Sequence, residues 1–383
     1  MNKHLGDRSV KFEQPVWIIG KGSVVGQEEA RGPLRECFDL IAEDGLLGEK
    51  TFEKAEKRLF AMAVQRALAG AGCSPGDMDF LVGGDLLNQI ISASYNARDL
   101  SIPYFGIYGA CSSMAEALTL GAMMVDGGFA GKVLCATSSH FATAERQFRF
   151  PLELGTPQTP TAQNTVTGAG ATILSATPAY GSRCYLSGAT VGTVVDMGIT
   201  DANNMGAAMA GAALETIGTH LEDFKRTPKD YDAIVTGDLG TFGTELLLDM
   251  AKRCGIDIER VHRDCGVMIF EGVEGKKCGG SGCVKRLFSA ELGGGKDEEN
   301  LICGHWGAAF HHKCAAGGVY PRCGPWRCNR KERGLNGVFL CVYHWGRHLR
   351  CRPAPAFPDK ADAGENSGAV CSPGRISGGN WTL

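Results

Sequence analysis

The stretch Thr227-Pro-Lys-Asp-Tyr-Asp-Ala-Ile-Val-Thr-Gly-Asp-Leu239 repeats, 153 residues later, the stretch Ser74-Pro-Gly-Asp-Met-Asp-Phe-Leu-Val-Gly-Gly-Asp-Leu86. Pro75 and Pro228, Asp77 and Asp230, Asp79 and Asp232, Gly84 and Gly237, Asp85 and Asp238, and Leu86 and Leu239 coincide. Each copy reads as a turn followed by a short apolar strand, and a helical pattern precedes each, Lys50 to Ala71 and Asn204 to Asp223. A period of half a molecule is too long for a solenoid. With strands and helices alternating, it implies two similar α/β halves packed pseudo-symmetrically. The expected division is a first half over 1–180, an incomplete second half over 181–283, and an aberrant tail over 284–383.

Within the first half, Tyr108-Gly-Ala-Cys-Ser-Ser-Met-Ala115 joins an apolar run, Ile102 to Tyr108, to a small-residue helical pattern, Met114 to Val125. A cysteine between a buried strand and a helix N-terminus sits where backbone N–H groups and the helix dipole favour a thiolate. Condensing and thiolytic enzymes place their nucleophile on such an elbow. A small Cys packing a tight strand–helix joint reads the same locally, so the partners of Cys111 decide. The second half echoes the elbow in Cys265-Gly-Val-Met268. Lys132 to Ser138 reads as a further buried strand leading to His140, and Thr165 to Ser175 as a strand whose Gly168 and Gly170 allow close backbone approach.

Composition narrows the classes. Lys and Arg number 39 against 42 Asp and Glu, so no basic footprint for nucleic acid is present. The polar, charged opening, Met1 to Lys11, is not a signal peptide, and no uncharged run is apolar enough for a membrane span. The cysteines before residue 284 stand singly among apolar neighbours, as in a reduced protein.

Duplicated α/β halves with a cysteine at the first elbow resemble the thiolase and ketoacyl-synthase superfamily. Gly275-Lys-Lys-Cys-Gly-Gly-Ser-Gly282 resembles a degraded form of its GHPxGxSG motif, with Lys276 in the histidine position and Ser281 in the serine position. Five stretches narrow the resemblance to the stage V sporulation protein AD family, over about residues 10–283: Gly84-Asp-Leu-Leu-Asn-Gln89, Gly109-Ala-Cys-Ser-Ser113, Ala136-Thr-Ser-Ser-His-Phe-Ala-Thr-Ala-Glu-Arg-Gln-Phe-Arg-Phe-Pro151, Thr165-Val-Thr-Gly-Ala-Gly170 and Val195-Asp-Met-Gly-Ile-Thr-Asp201. The resemblance implies a thiolase-like α/β fold and a part in endospore formation. It also implies binding of dipicolinic acid as that acid is loaded into the developing spore. Membrane proteins of the same transport system, a homodimer, and a position peripheral to the forespore inner membrane on its cytoplasmic side follow from it. No cofactor, resident metal or nucleic acid is implied.

The departures from the enzymes argue for binding without turnover. Lys276 replaces the histidine, and a Lys is no general base near neutral pH unless strongly desolvated. Asp238 falls on the second partner position, where the enzymes carry Asn or His, and an anionic Asp beside Cys111 would disfavour its thiolate. Cys111 is then a vestigial nucleophile. Dipicolinate carries two negative charges and a flat ring, so its site needs cations or N–H donors. His140, Arg146 and Arg149 are the candidates, the two arginines three apart on one predicted helical face, with the N–H groups of Ser112 and Ser113 at the elbow. Glu145 and Arg149 read equally as a helical ion pair. The expected site is a cleft between the halves, near the Cys111 elbow and the His140 loop. Asp85 and Asp238 are expected to hold the core, or to contact calcium if calcium bridges ligand to protein. An acyl-CoA condensing or thiolytic enzyme using Cys111, and a scaffold for membrane partners, stay open.

The tail is a different population. Residues 284–383 hold five of nine histidines, seven of sixteen cysteines and four of five tryptophans, without strand or helix periodicity. The pairs Cys278/Cys283 and Cys323/Cys328 lack a matched His pair at finger spacing, which argues against zinc. Back-translating Asn300 to Lys331 with suitable synonymous codons and shifting by one nucleotide yields apolar strands, a Gly turn and a Pro-Gly break, resembling the C-terminal part of the same family. A one-base change near Gly282 to Val284 is therefore expected, with no packed domain following it. Sequencing the DNA across these codons tests the expectation; an uninterrupted genomic reading frame identical to the present one would contradict it.

Overall fold

The repeated Ser/Thr-Pro-x-Asp turns fold identically. In each, the hydroxyl of Ser74 or Thr227 donates to the carboxylate three residues on, Asp77 or Asp230, which also accepts the backbone N–H of the first residue. These capping boxes, each with Pro in the first turn, aim the chain into a central strand. The computed structural model describes residues 2–87, 89–148, 158–182, 184–276, 278–281, 299–303 and 308–314.

The strands are β1 (His4–Leu5), β2 (Ser9–Val25), β3 (Leu40–Ile41), β4 (Phe80–Asp85), β5 (Tyr104–Gly106), β6 (Lys132–Ser139), β7 (Asn164–Thr165), β8 (Gly168–Ser175), β9 (Cys184–Val191), β10 (Ala233–Thr236), β11 (His262–Asp264), β12 (Gly280–Ser281), β13 (Glu299–Cys303) and β14 (Ala308–Cys314). The helices are α1 (Phe52–Ala71), α2 (Ile91–Leu100), α3 (Ser113–Asp126), α4 (Phe141–Phe148), α5 (Met205–Asp223), α6 (Gly240–Arg253) and α7 (Cys265–Phe270).

The main sheet runs β11-β10-β13-β14-β9-β2-β8-β6-β4-β5, with β1 and β3 also on β2. Its centre is the antiparallel pair β2 and β9, and the order outward from this seam is the same on both sides. β2, β8, β6, β4 and β5 in one half correspond to β9, β14, β13, β10 and β11 in the other. The strand directions correspond too: β4 is parallel to β5 and β6, and β10 is parallel to β11 and β13. The hairpin-like pairs β6/β8 and β13/β14 are both antiparallel.

Two tail segments thus complete the second half, against the expectation of an incomplete half and a structureless tail. The reason lies in the main chain. Without β13 and β14, β9 and β10 would each present a row of unpaired N–H and C=O groups. Ladder bonds use groups that every non-proline residue carries, so a segment without side-chain periodicity can fill the place. The other residues of 284–383 lie outside the described residues.

Small residues let helices approach the sheet. A Cβ on Gly22 of β2 would stand 2.2 Å from the Ala63 carbonyl oxygen of α1. That helix buries Ala55, Glu56, Leu59, Phe60, Ala63, Val64, Ala67 and Leu68. On the opposite face α3 packs Met114, Ala117, Leu118 and Ala122 into a second core with Val133, Cys135 and Leu174.

A chain of polar side chains spans the seam. Ser9 of β2 donates to Asp223 at 2.6 Å and shares a 2.6 Å hydrogen bond with Thr190 of β9. Thr190 meets His220 Nδ1 at 2.7 Å, and His220 Nε2 meets the Tyr231 hydroxyl at 3.1 Å. All five residues are buried, so each group depends on its neighbours for the partners water would give. Among the described residues no helix is long and apolar enough to cross a membrane.

Candidate functional site at the Cys111 elbow

β5 ends at Gly106, and the chain turns through Ala110, held at φ 49°, into a short 3-10 turn and then α3. The two serines lock this bend. Ser112 donates to the Gly109 carbonyl through its N–H at 3.0 Å and its hydroxyl at 2.6 Å. Ser113 donates to the Ala110 carbonyl through both N–H and hydroxyl, and its hydroxyl accepts from Gly109 N. Both side chains are fully buried. The donors expected to face a ligand are spent inside the elbow. Cys111 is half-buried and packs with Ala110 against Leu86 and Ala144.

Asp85, the last residue of β4, accepts from Leu87 N at 3.1 Å and from Ala93 N, in the first turn of α2, at 2.9 Å. Burial pushes its carboxyl up to about 6, against the pull of these amides. Facing it from α1, Glu56 accepts from Ser138 at 3.0 Å and from Thr143 at 2.8 Å. Burial, reinforced by the charge of Asp85, pushes Glu56 up to about 8, so it keeps its proton at neutral pH.

Asp238 does not mirror Asp85. β10 stops at Thr236, two residues short of the β4 equivalent, so Asp238 lies beyond the strand in a left-handed turn at φ 56°, where its carbonyl accepts from Gln163 Nε2. The clamp of the second half is Asp264 at the end of β11. It accepts from Leu239 N at 2.8 Å, Gly240 N at 3.0 Å and Val267 N at 3.0 Å, and burial raises it to about 6.

His140 spends both ring nitrogens on the main chain. Nε2 lies 2.7 Å from the Gly45 carbonyl, and Nδ1 accepts from Ala142 N at 3.1 Å, an arrangement that assigns the proton to Nε2. Its ring lies 5.1 Å from that of Phe52, and burial lowers its pKa. It pins the 45–52 segment to the end of β6. Arg146 lies on the same outer side, 5.7 Å over the Phe52 ring. With Leu46, Lys50, Thr51, Phe52 and Glu53 it lines a cavity of about 270 Å³. Arg149 lies outside the described residues.

Lys276 belongs to the elbow side. Phe141 and Ala144 are three apart on α4 and share a face, Ala144 against Cys111 and Phe141 under the Lys276 ammonium at 5.7 Å. β12 pairs with β7, Gly280 opposite Asn164 and Ser281 opposite Thr165. Glu145 is buried there, accepting from Thr165 Oγ1 at 2.9 Å.

α4 thus touches both features, Cys111 through Ala144 and Lys276 through Phe141. His140 and Arg146 stand behind, and Ser112, Ser113 and Asp85 act on the backbone. Sequence reasoning passed over Glu56 and Asp264. Glu56 falls on the stripe of Leu59 and Ala63, three and seven residues on, which placed a carboxylate on a buried face. Asp264 immediately precedes the helical Cys265-Gly-Val-Met268 stretch, an N-cap position.

The titration of Glu56 gives a test. Folded, it holds its proton up to about 8; unfolded, it releases it near its ordinary 4.5. The folded state therefore binds the extra proton within that window, and the contribution of Glu56 to stability falls as pH rises through it. Glu56→Gln keeps the shape and hydroxyl contacts without the charge. Thermal unfolding at pH 5.5 and 8.5 should show a flatter pH dependence for the variant, which gains ~1 kcal/mol or more over wild type at the higher pH. Parallel pH profiles would contradict this.

Comparison with known proteins agrees with this architecture. A sequence model of the family described as Stage V sporulation protein AD matches residues 6–291. Stage V sporulation protein AD of Bacillus subtilis (strain 168) is 43% identical over 282 residues, 74% of this chain and 82% of that protein. Among solved structures, cerulenin-bound OleA of Xanthomonas campestris is similar with a TM-score of 0.54 at 16% identity, over 79% of this chain and 97% of that one. The 3-oxoacyl-(acyl carrier protein) synthase III of Xanthomonas oryzae pv. oryzae gives 0.53 at 15% identity, over 80% of this chain and all of that one. At such identities the likeness is one of fold, and the fold is thiolase-like. The sequence match carries further: the chain belongs to the stage V sporulation protein AD family.

Proposed function

We propose that this sporulation protein is a non-enzymatic member of the thiolase-like fold that binds dipicolinate at the Cys111 elbow and supports its uptake into the developing spore. One observation carries the reading: the elbow is built and half-open, while the positions that hold an activating partner in the enzymes carry Asp238 and Lys276, and His140 is spent on the main chain. His140 is hydrogen-bonded on both nitrogens, Asp238 is turned into a left-handed bend, and the histidine position of the motif is a lysine stacked on phenyl rings. An acyl transfer through a cysteine needs a base poised at the thiol and a means of stabilising the oxyanion. A retained elbow without these suits holding a small ligand.

The chemistry near α4 suits the ligand too. Phe141 offers a flat, part-exposed ring, and the Lys276 ammonium stands 5.7 Å from its centre. Uptake across a membrane needs other, membrane-embedded proteins, which makes this chain a peripheral partner. A homodimer accords with the same reading.

Two assays test it together. Calorimetric titration of dipicolinate into the protein should show saturable binding, weakened by salt because the ligand is a dianion. Incubation with acetyl-CoA or acetoacetyl-CoA should give no turnover. No dipicolinate binding, or turnover that Cys111→Ala abolishes, would overturn the proposal, the second result in favour of an acyltransferase.

A further inference from the structure

We infer that Lys276 is the carboxylate anchor of the elbow cleft, its ammonium supplying the charge that the serines, His140 and Arg146 do not bring to it. The inference rests on the proposed occupation of this cleft by a small aromatic dicarboxylate, and it names the residue that would select for it.

The environment of Lys276 is that of a receptor for an anion. The side chain is 18% exposed, and its Nζ lies 5.7 Å from the Phe141 ring centre and 5.5 Å from that of Phe270. Two ring faces hold the ammonium and strip part of its water, but they do not neutralise it. Its polar partners among the described residues are weak. Asn164 Oδ1 accepts from it at 3.4 Å, and Glu28 Oε2 stands at 4.0 Å. Glu28 already meets Arg31, whose Nη1 lies 3.1 Å and 3.3 Å from its two carboxylate oxygens. Two buried carboxyls lie on this side: Glu145 accepts from Thr165 Oγ1, and Glu29 accepts from Thr167 N, with burial raising it to about 7 against the pull of the Lys276 charge. A partly desolvated ammonium whose direct polar contacts are this long gains from a carboxylate oxygen placed at hydrogen-bond distance.

Position and room agree. Phe141, beneath the ammonium, is part-exposed, and one turn along α4 the buried Ala144 packs against Cys111, so a ring stacked by Phe141 lies next to the elbow. A cavity of about 110 Å³, lined by Gln158, Thr159, Pro160, Ala162, Asn164 and Gly275, adjoins Lys276 through Asn164 and Gly275. Arg146 occupies the other side of α4, over Phe52, with its own cavity. The two cations therefore make separable predictions.

The test is titration of dipicolinate into the full chain, wild type against Lys276→Met, Lys276→Arg and Arg146→Ala, with circular dichroism and melting to confirm folding. Lys276→Met should weaken binding about tenfold or more. Lys276→Arg should recover most of the loss, and Arg146→Ala should bind as wild type. The neutral pyridine-2,6-dicarboxamide should not distinguish wild type from Lys276→Met. Should Lys276→Met melt, Lys276→Gln takes its place with the same expectation. A folded Lys276→Met that binds within about twofold of wild type overturns the anchor and leaves the function standing. A loss confined to Arg146→Ala overturns it by moving the ligand to the outer cavity, and a wild type that does not bind removes the function and the anchor together.

Discussion

Burying a carboxylate costs free energy unless its oxygens find donors or it keeps its proton, and this fold buries several, among them Asp85, Asp264, Glu56 and Glu29, around its two strand-end loops. Asp85 and Asp264 collect backbone N–H groups at the starts of helices, Glu56 takes two hydroxyls, and Glu29 takes an amide. Each loop at the carboxyl end of a central strand is therefore tied down by an acid that is not available for chemistry. Burial raises these four, and Glu56, pushed up to about 8, keeps its proton at neutral pH.

The duplication is faithful in the sheet and loose at the site. Ten strands in mirrored order and two matching capping boxes preserve the scaffold. Shortening β10 by two residues moves Asp238 out of its symmetric place, and the clamp passes to Asp264 on the neighbouring strand. Packing and ladder bonds constrain every strand, whereas a loop needs only some donor–acceptor solution. The halves have kept the first and varied the second.

Much of this was legible in the chain. The repeat at constant offset revealed the two halves because each copy carries its own turn chemistry, Pro and Asp at fixed places, ahead of an apolar strand. The elbow was legible for the same reason, a strand, a small turn and a small-residue helix in succession. What the sequence did not reveal was where side chains point after a turn. His140, Arg146 and the elbow serines were expected at the ligand; in the fold Arg146 lies over the Phe52 ring, and main-chain groups take His140, Ser112 and Ser113. Lys276 read as the loss of a base, and only its two flanking rings disclose a placed cation. The tail strands escaped because main-chain pairing leaves no trace in side-chain periodicity.

A ligand lying against the Cys111 elbow would shield its thiol, so the thiol itself is the reporter. Alkylation by iodoacetamide, resolved peptide by peptide in a mass spectrometer with and without saturating dipicolinate, compares half-buried Cys111 with exposed Cys254 in the same sample. Protection confined to Cys111, with Cys254 reacting at an unchanged rate, is the predicted result; equal rates at Cys111 with and without bound ligand would contradict the account.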